Sequence, residues 1–297
     1  MSEGRSPERL LGAAARGRDL MAKPKYVLLA VLLLVSIGSA AAGANGAVHP
    51  SPRIVGGGKA NAAGWQFAVA LDQKRSFICS GSLIAPTKVL TAAHCVKGGK
   101  RRQLSVFAGS PWISKQRRQP RIKVRAAVVD PAYNGRKDSH DFAVLTLASA
   151  PNAQPIALAS VAESKAATRP GKIVRSGGWG TRSAYGVNIA LRLKTTKERI
   201  YAARKCDRAY GKPRGFQQDS MICALGKRIL RYRSRLRFHT TSCEGDSGGP
   251  LVADTPGGPR LIGAVSAGVF PCGLGGASIY ARIADRLGFI RRAIALP

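Results

Sequence analysis

From Ile54 to about Arg282 the chain is a succession of short runs rich in β-branched and other apolar residues, each closed by glycine, proline or a charged turn. Such runs are Gln66 to Leu71, Lys88 to Thr91, Ile122 to Val129, Ala143 to Leu147, Lys172 to Ser176, Leu251 to Ala253 and Leu261 to Ser266. Runs this short suit strands and are too brief for buried helices, so the pattern predicts an all-β fold. No solenoid-type repeat is evident, and no glycine-rich loop joins a strand to a helix as nucleotide binding requires. One helix is predicted, from Ala284 onward. There Leu287, Ile290 and Ile294 recur at helical spacing, while Arg286, Arg291 and Arg292 fall largely on the other side.

The charge balance is extreme: 48 Lys and Arg against 15 Asp and Glu, a net +33. Residues 1–53 hold seven basic and three acidic side chains, which leaves 41 against 12, or +29, on the remainder. A surface this basic attracts polyanions and anionic membranes with a strong salt dependence. Sequence-specific nucleic-acid recognition is not expected, because no helix-turn-helix, RNA-binding or Cys/His zinc pattern accompanies the charge. Much of the charge sits in Lys97 to Arg102, Lys115 to Arg125 and Gly226 to His239. The last segment carries Lys227, Arg228, Arg231, Arg233, Arg235 and Arg237. It reads as a solvated loop, with contact to an acidic substrate or a polyanion as the alternative.

Lys23 and Lys25 precede an apolar run, Tyr26 to Gly38, which gives way to small residues including Ala42-Gly43-Ala44. This predicts a cleaved signal peptide over 1–44, with a short propeptide at 45–53 and a secreted, extracellular product. Met21 opens a short basic segment ahead of the apolar run, so 1–20 reads as a misassigned start. A membrane anchor is the alternative, since Tyr26 to Pro52 carries no formal charge. Six cysteines in an exported chain point to disulfides, but sequence alone does not fix their pairing.

Three motifs carry chemistry: Thr91-Ala92-Ala93-His94-Cys95, Asp141-Phe142-Ala143-Val144-Leu145 and Gly245-Asp246-Ser247-Gly248-Gly249-Pro250. A serine hydroxyl is a poor nucleophile until an imidazole takes its proton and a carboxylate fixes that imidazole's tautomer. His94, Asp141 and Ser247 are therefore candidate catalytic residues. Taken singly each has a plainer reading: a structural histidine beside Cys95, a competing acid at Asp138, a serine in a glycine-rich turn. Asp141 is preferred to Asp138 because the apolar strand begins directly after it. His49, His140 and His239 are given no role and read as solvent-facing or turn residues.

With Ile54-Val55-Gly56-Gly57 and Gly178-Trp179-Gly180, these motifs resemble the trypsin/chymotrypsin family of serine proteases over residues 54–297. The resemblance implies two antiparallel six-stranded β-barrels, 54–165 and 166–297, with the active site between them and a C-terminal α-helix. It implies catalysis by His94, Asp141 and Ser247, with the N–H groups of Gly245 and Ser247 as oxyanion hole. Cleavage after Arg53 would free the Ile54 amine to pair with Asp246. The disulfides would join Cys79 to Cys95, Cys206 to Cys223 and Cys243 to Cys272. Thr241, Ser266, Gly268 and Ser278 would form the specificity pocket.

Thr241 carries no charge, and Glu244 is expected at the rim, so Arg or Lys preference is not expected. Medium apolar or aromatic side chains are favoured. Ala267 stands where relatives often have Trp, and the Gly226 to His239 insertion is longer than the family's. The expected partners are a protein or peptide substrate and an activating protease. The chain is expected to act as a monomer without cofactor or metal, there being no D-x-D-x-D-G run. Two rival functions remain: a cationic polyanion- or cell-surface-binding protein on a protease scaffold, and an esterase. The order His, Asp, Ser is wrong for an α/β-hydrolase.

Overall fold

Along β9, Lys194–Ile200, every second side chain is buried and the intervening ones are not, the period-two pattern of a strand with one face on a core. Repeated along the chain, that pattern closes two barrels. The computed structural model describes residues 57–98, 103–113, 121–186, 188–210, 215–231 and 237–297. The expected signal peptide and propeptide, with Arg53 and Ile54, lie outside the described residues, as do 99–102, 114–120 and 232–236.

The first barrel comprises β2 (Ala68–Gln73), β3 (Ser76–Ala85), β4 (Lys88–Thr91), β5 (Leu104–Phe107), β6 (Ile122–Val129) and β7 (Ala143–Leu147). Its order is β2-β3-β4-β7-β6-β5, closed by antiparallel pairing of β5 with β2. Leu71, Leu83, Leu90, Phe142, Leu145 and Leu147 fill it and are fully buried, each such side chain stabilising the fold by roughly 1.5–3 kcal/mol. The second comprises β8 (Ile173–Gly178), β9, β10 (Met221–Gly226), β13 (Pro250–Thr255), β14 (Gly258–Ala267) and β15 (Ser278–Arg282). Its order is β9-β10-β15-β14-β13-β8, closed by β8 on β9, and the short β1 (Gly58–Lys59) adds to the edge of β9.

Two expectations are corrected. The stretch between the barrels is a helix, α1 (Val161–Ala167), and a second helix, α2 (Ala203–Tyr210), precedes β10. The signal for α1 was present as a capping box, Ser160 accepting from Glu163 N–H while the Glu163 carboxylate accepts from Ser160 N–H. The basic insertion, read as a loop, includes a two-stranded ribbon of β11 (Arg228–Arg231) and β12 (Arg237–His239). Ile229 packs against Cys243 and Cys272, and His239 N–H donates to Gly273 O at 2.9 Å, so the ribbon base is anchored beside that disulfide.

The terminal helix α3 (Ile283–Ala295) buries Ile283, Leu287, Phe289, Ile290 and Ala293. It binds across to the first barrel. Arg286 donates to both oxygens of buried Asp130 at 2.6 Å, and Lys88 Nζ on β4 donates to the carbonyl of Leu296. His140, read as a solvent-facing or turn residue, sits in a turn with its ring 3.2 Å from Asp285 on α3.

Candidate active site

His94 sits in a single 3₁₀ turn, Ala93–Cys95, directly after β4. A disulfide from Cys95 to Cys79 pins that turn to β3. Asp141 lies just before β7, the strand paired with β4, so strand register alone brings the two motifs side by side. The His94 backbone N–H donates to Asp141 Oδ1 at 3.0 Å, and the ring Nδ1 lies 2.7 Å from Oδ2. Asp141 is 1% exposed, while the His94 side chain is 34% exposed and faces outward. A carboxylate that holds both the main chain and the ring of one histidine fixes its orientation and makes Nδ1–H the favoured tautomer.

The second barrel supplies a further bond to the same acid. Ser266, at the end of β14, donates from Oγ to Asp141 Oδ2 at 2.6 Å. The family resemblance implies a pocket role alone for Ser266; no local signal ties it to a carboxylate so far away in the chain. Asp138, the competing acid, is directed elsewhere and accepts from Tyr210 OH.

Ser247 is stitched onto the first barrel through its backbone. Its carbonyl accepts from Ser80 N–H on β3 at 2.8 Å and lies 3.8 Å from Cys95 Sγ, beside the turn that carries His94. The flanking glycines make this approach possible. Gly248 has φ +77°, and a Cβ there would stand 2.1 Å from Thr91 Oγ1 and 2.5 Å from Ser80 O. Gly245 has φ +87°, and a Cβ there would meet the Phe77 ring at 2.8 Å. Both backbone shapes and both contacts exclude larger residues.

Asp246 points the other way, into the second barrel, where it is 1% exposed. Its carboxylate accepts from Gly180 N–H at 2.8 Å and Cys243 N–H at 2.9 Å. Burial pushes its pKa up to about 7 despite those two bonds.

Beside Ser247 opens a cleft of about 190 Å³, lined in part by Ser242, Ser266, Gly268, Phe270 and Cys272. Of the four residues expected to form the specificity pocket, Ser266 and Gly268 line this cleft. Thr241 and Ser278 are not among its lining residues; they are buried and hydrogen-bonded to each other through their hydroxyls. Ser242, the neighbour of Thr241, lines the cleft together with Ser247 and Ser266. Glu244 is exposed at the rim. A larger hollow of about 510 Å³, bordered by Lys165, Arg169, Asp219, Arg282 and Asp285, shares no residue with the cleft.

The disulfides join Cys79 to Cys95, Cys206 to Cys223 and Cys243 to Cys272, the last bordering the cleft. One group of potential metal ligands occurs among the described residues, Cys79, His94 and Cys95, but its two sulfurs are bonded to each other and cannot act as thiolates.

The family model for trypsin matches residues 54–290. The chain is 32% identical to mouse kallikrein-8 over 217 residues, covering 70% of this chain and 73% of that protein. It is 32% identical to a trypsin of Saccharopolyspora erythraea over 231 residues, covering 77% and 93%. Among solved structures it is similar to neuropsin, a serine protease expressed in the limbic system of mouse brain. There the TM-score is 0.67 and the identity 29%, with 80% of this chain and 99% of that one covered. The chain belongs to the trypsin family of serine-type endopeptidases.

Proposed function

We propose that the chain is exported as a zymogen and, once cut after Arg53, hydrolyses peptide bonds through His94, Asp141 and Ser247. The observation that carries this reading is the 2.7 Å contact of His94 Nδ1 with Asp141, backed by Ser266 at 2.6 Å. With Nδ1–H held there, Nε2 is left to take the Ser247 proton. Ser247 Oγ adds to the substrate carbonyl, and the N–H groups of Gly245 and Ser247 hold the oxyanion. The C–N bond then breaks as His94 delivers its proton to the leaving amine. Water, deprotonated by the same imidazole, releases the acyl group and restores Ser247. The assignment of these roles follows the general serine-protease template.

Activation rests on Asp246. A buried carboxyl with a raised pKa gains strongly from an ammonium, so the freed Ile54 amine is its natural partner. Specificity is for uncharged side chains, since the one lining carboxylate, Glu244, is exposed and the buried lining hydroxyl, Ser242, carries no charge. Export and an extracellular setting are supported by the three disulfides and by the leader-like pattern before Arg53. The net charge of +33 favours weak polyanion binding alongside catalysis.

The test is to process the protein after Arg53, present it with a peptide library, and repeat with Ser247→Ala. Turnover should fall by about 10⁴–10⁶ in that variant. Comparable turnover by both proteins would sink the mechanism, and cleavage mainly after Arg or Lys would overturn the specificity. Retention on heparin that salt does not weaken would count against polyanion binding.

A further inference from the structure

The basic ribbon of β11 and β12 takes no part in the chemistry, yet it is fastened beside the cleft. Ile229 packs against Cys243 and Cys272, the disulfide pair that also lines the cleft. Main-chain bonds hold the base of the ribbon in place. Gly226 N–H donates to Thr240 O at 3.0 Å and Thr240 N–H to Lys227 O at 2.9 Å, while His239 N–H donates at 2.9 Å to Gly273 O, next to Cys272. Phe238 adds a bridge to Leu274. Such anchorage is needed, because a two-stranded ribbon is only marginally stable by itself.

Register decides how the charge of the ribbon is laid out. Between the pairs Arg228–His239 and Leu230–Phe238, β11 advances two residues and β12 one, so Ile229 is the extra residue of a β-bulge. The next pair is Arg231–Arg237. Because Arg237 and His239 are two apart on one strand, the pairs Arg231–Arg237 and Arg228–His239 belong to one side of the ribbon and Leu230–Phe238 to the other. Without the bulge, Arg228 and Arg231, three apart, would fall on opposite sides. Arg228, Arg231 and Arg237 therefore share one side, with Lys227 at its foot, and no acid occurs between Gly226 and Cys243. Lys227 and Arg228 are exposed and enter no ion pair among the described residues. Like charges paired across two strands are destabilising, so an acidic partner would relieve an arrangement that folding alone does not favour. The tip, 232–236, is outside the described residues and is no part of the site.

We propose that this side of the ribbon is a docking site for an acidic segment of the protein substrate. A segment captured there holds an adjoining stretch of the same chain close to Ser247, and the gain is in binding and not in the chemical step. The position of the ribbon favours a substrate segment over a polysaccharide: fastening to the cleft wall serves a chain that must also enter the cleft, and does nothing for a polyanion that stays outside. The docking rests on the catalytic reading above. It differs from the unlocalised attraction of a basic surface in depending on Lys227, Arg228, Arg231 and Arg237.

The test uses the processed enzyme and peptides that share one cleavable core and carry a run of Glu or of Ser on a short spacer, at one end or the other. At low salt, one of the two Glu-bearing peptides should show a KM about tenfold below that of its Ser-bearing counterpart, with equal kcat, and the gain should vanish at about 0.5 M salt. Lys227→Ser, Arg228→Ser, Arg231→Ser and Arg237→Ser together should abolish the gain. Lys165→Ser, Lys172→Ser, Arg291→Ser and Arg292→Ser together, which remove the same charge from exposed positions elsewhere, should leave it largely intact. Equal loss in both variants would assign the gain to overall charge, and no gain with Glu at either end would remove the acidic segment. Either result overturns the docking while the catalytic reading stands. So would heparin that binds the wild type and not the ribbon variant while the Glu run gives no gain, since the partner would then be a polysaccharide. Should no peptide be cut, the catalytic reading falls, and fluorescence anisotropy of the labelled Glu peptide on the same proteins decides the docking. Should the ribbon variant fail to fold, Lys227→Ser with Arg228→Ser decides: the gain should fall about threefold, and an unchanged gain overturns the docking.

Discussion

In the first barrel, Asp141 is buried and engaged by the His94 ring, the His94 N–H and the Ser266 hydroxyl. In the second, Asp246 and Glu198 are sunk into the interior, held by backbone N–H groups and hydroxyls, and both have pKa values pushed up to about 7. One barrel carries its half of the site already assembled, in a geometry that needs no change of charge. The other stores two acids whose charged forms burial disfavours, and any cation or proton that reaches them shifts its balance. On the proposed reading, the second barrel is therefore where activation acts, because a cation brought to a buried carboxylate offsets its desolvation.

The largest test of this contrast is activation. Arg53→Gln, protected from cleavage, should stay about a hundredfold less active than the processed protein, the change in active fraction when a two-state equilibrium moves from 1:99 to 99:1. Full activity without cleavage would remove the distinction between the barrels. Next in size is the bond that joins them. Ser266→Ala deletes a hydrogen bond to a buried carboxylate and should lower kcat/KM about tenfold with the fold intact by circular dichroism. An unchanged rate would mean that the first barrel holds Asp141 unaided.

The smallest effect lies in stability against pH. A carboxyl whose pKa is higher folded than unfolded binds more protons in the folded state between the two values. The stability contributed by Asp246 and Glu198 is thus full below about pH 4 and lost as pH rises through about 7. The Tm of the unprocessed protein should fall by a few degrees between about pH 5 and pH 8. Processing should remove the Asp246 share of that slope and Glu198→Gln the other. A slope identical in all three proteins would place its origin elsewhere.

Much of the fold was legible because short β-branched runs between turns permit little else. Lys88–Thr91, Ile122–Val129 and Ala143–Leu147 stand with the bounds the sequence pattern suggests. Lys194–Ile200 escaped because its inward positions include Lys194, Thr196 and Glu198, so the alternation reads as polar throughout. Helix α1 escaped because it is short and mostly exposed, with little apolar face to betray it. In the site, His94, Asp141 and Ser247 stood out through their local motifs. Ser266 on Asp141, Ser80 on Ser247 and Tyr280 on Glu198 did not, for each spans 82 or more positions of chain.

The amino-acid order by itself set the all-β class, the succession of the three motifs, and the glycines at 245 and 248 that let the Ser247 loop approach β3. Local sterics and side-chain alternation are properties of neighbouring residues, and neighbours can be read in a line. Closure of the barrels decided the rest: that Ser242 and not Thr241 lines the cleft, that Ser266 backs Asp141, and that Ser176 and Tyr280 meet on buried Glu198. Those relations depend on strand register and on which faces meet across a closed sheet, where a one-residue slip turns every side chain to the opposite side.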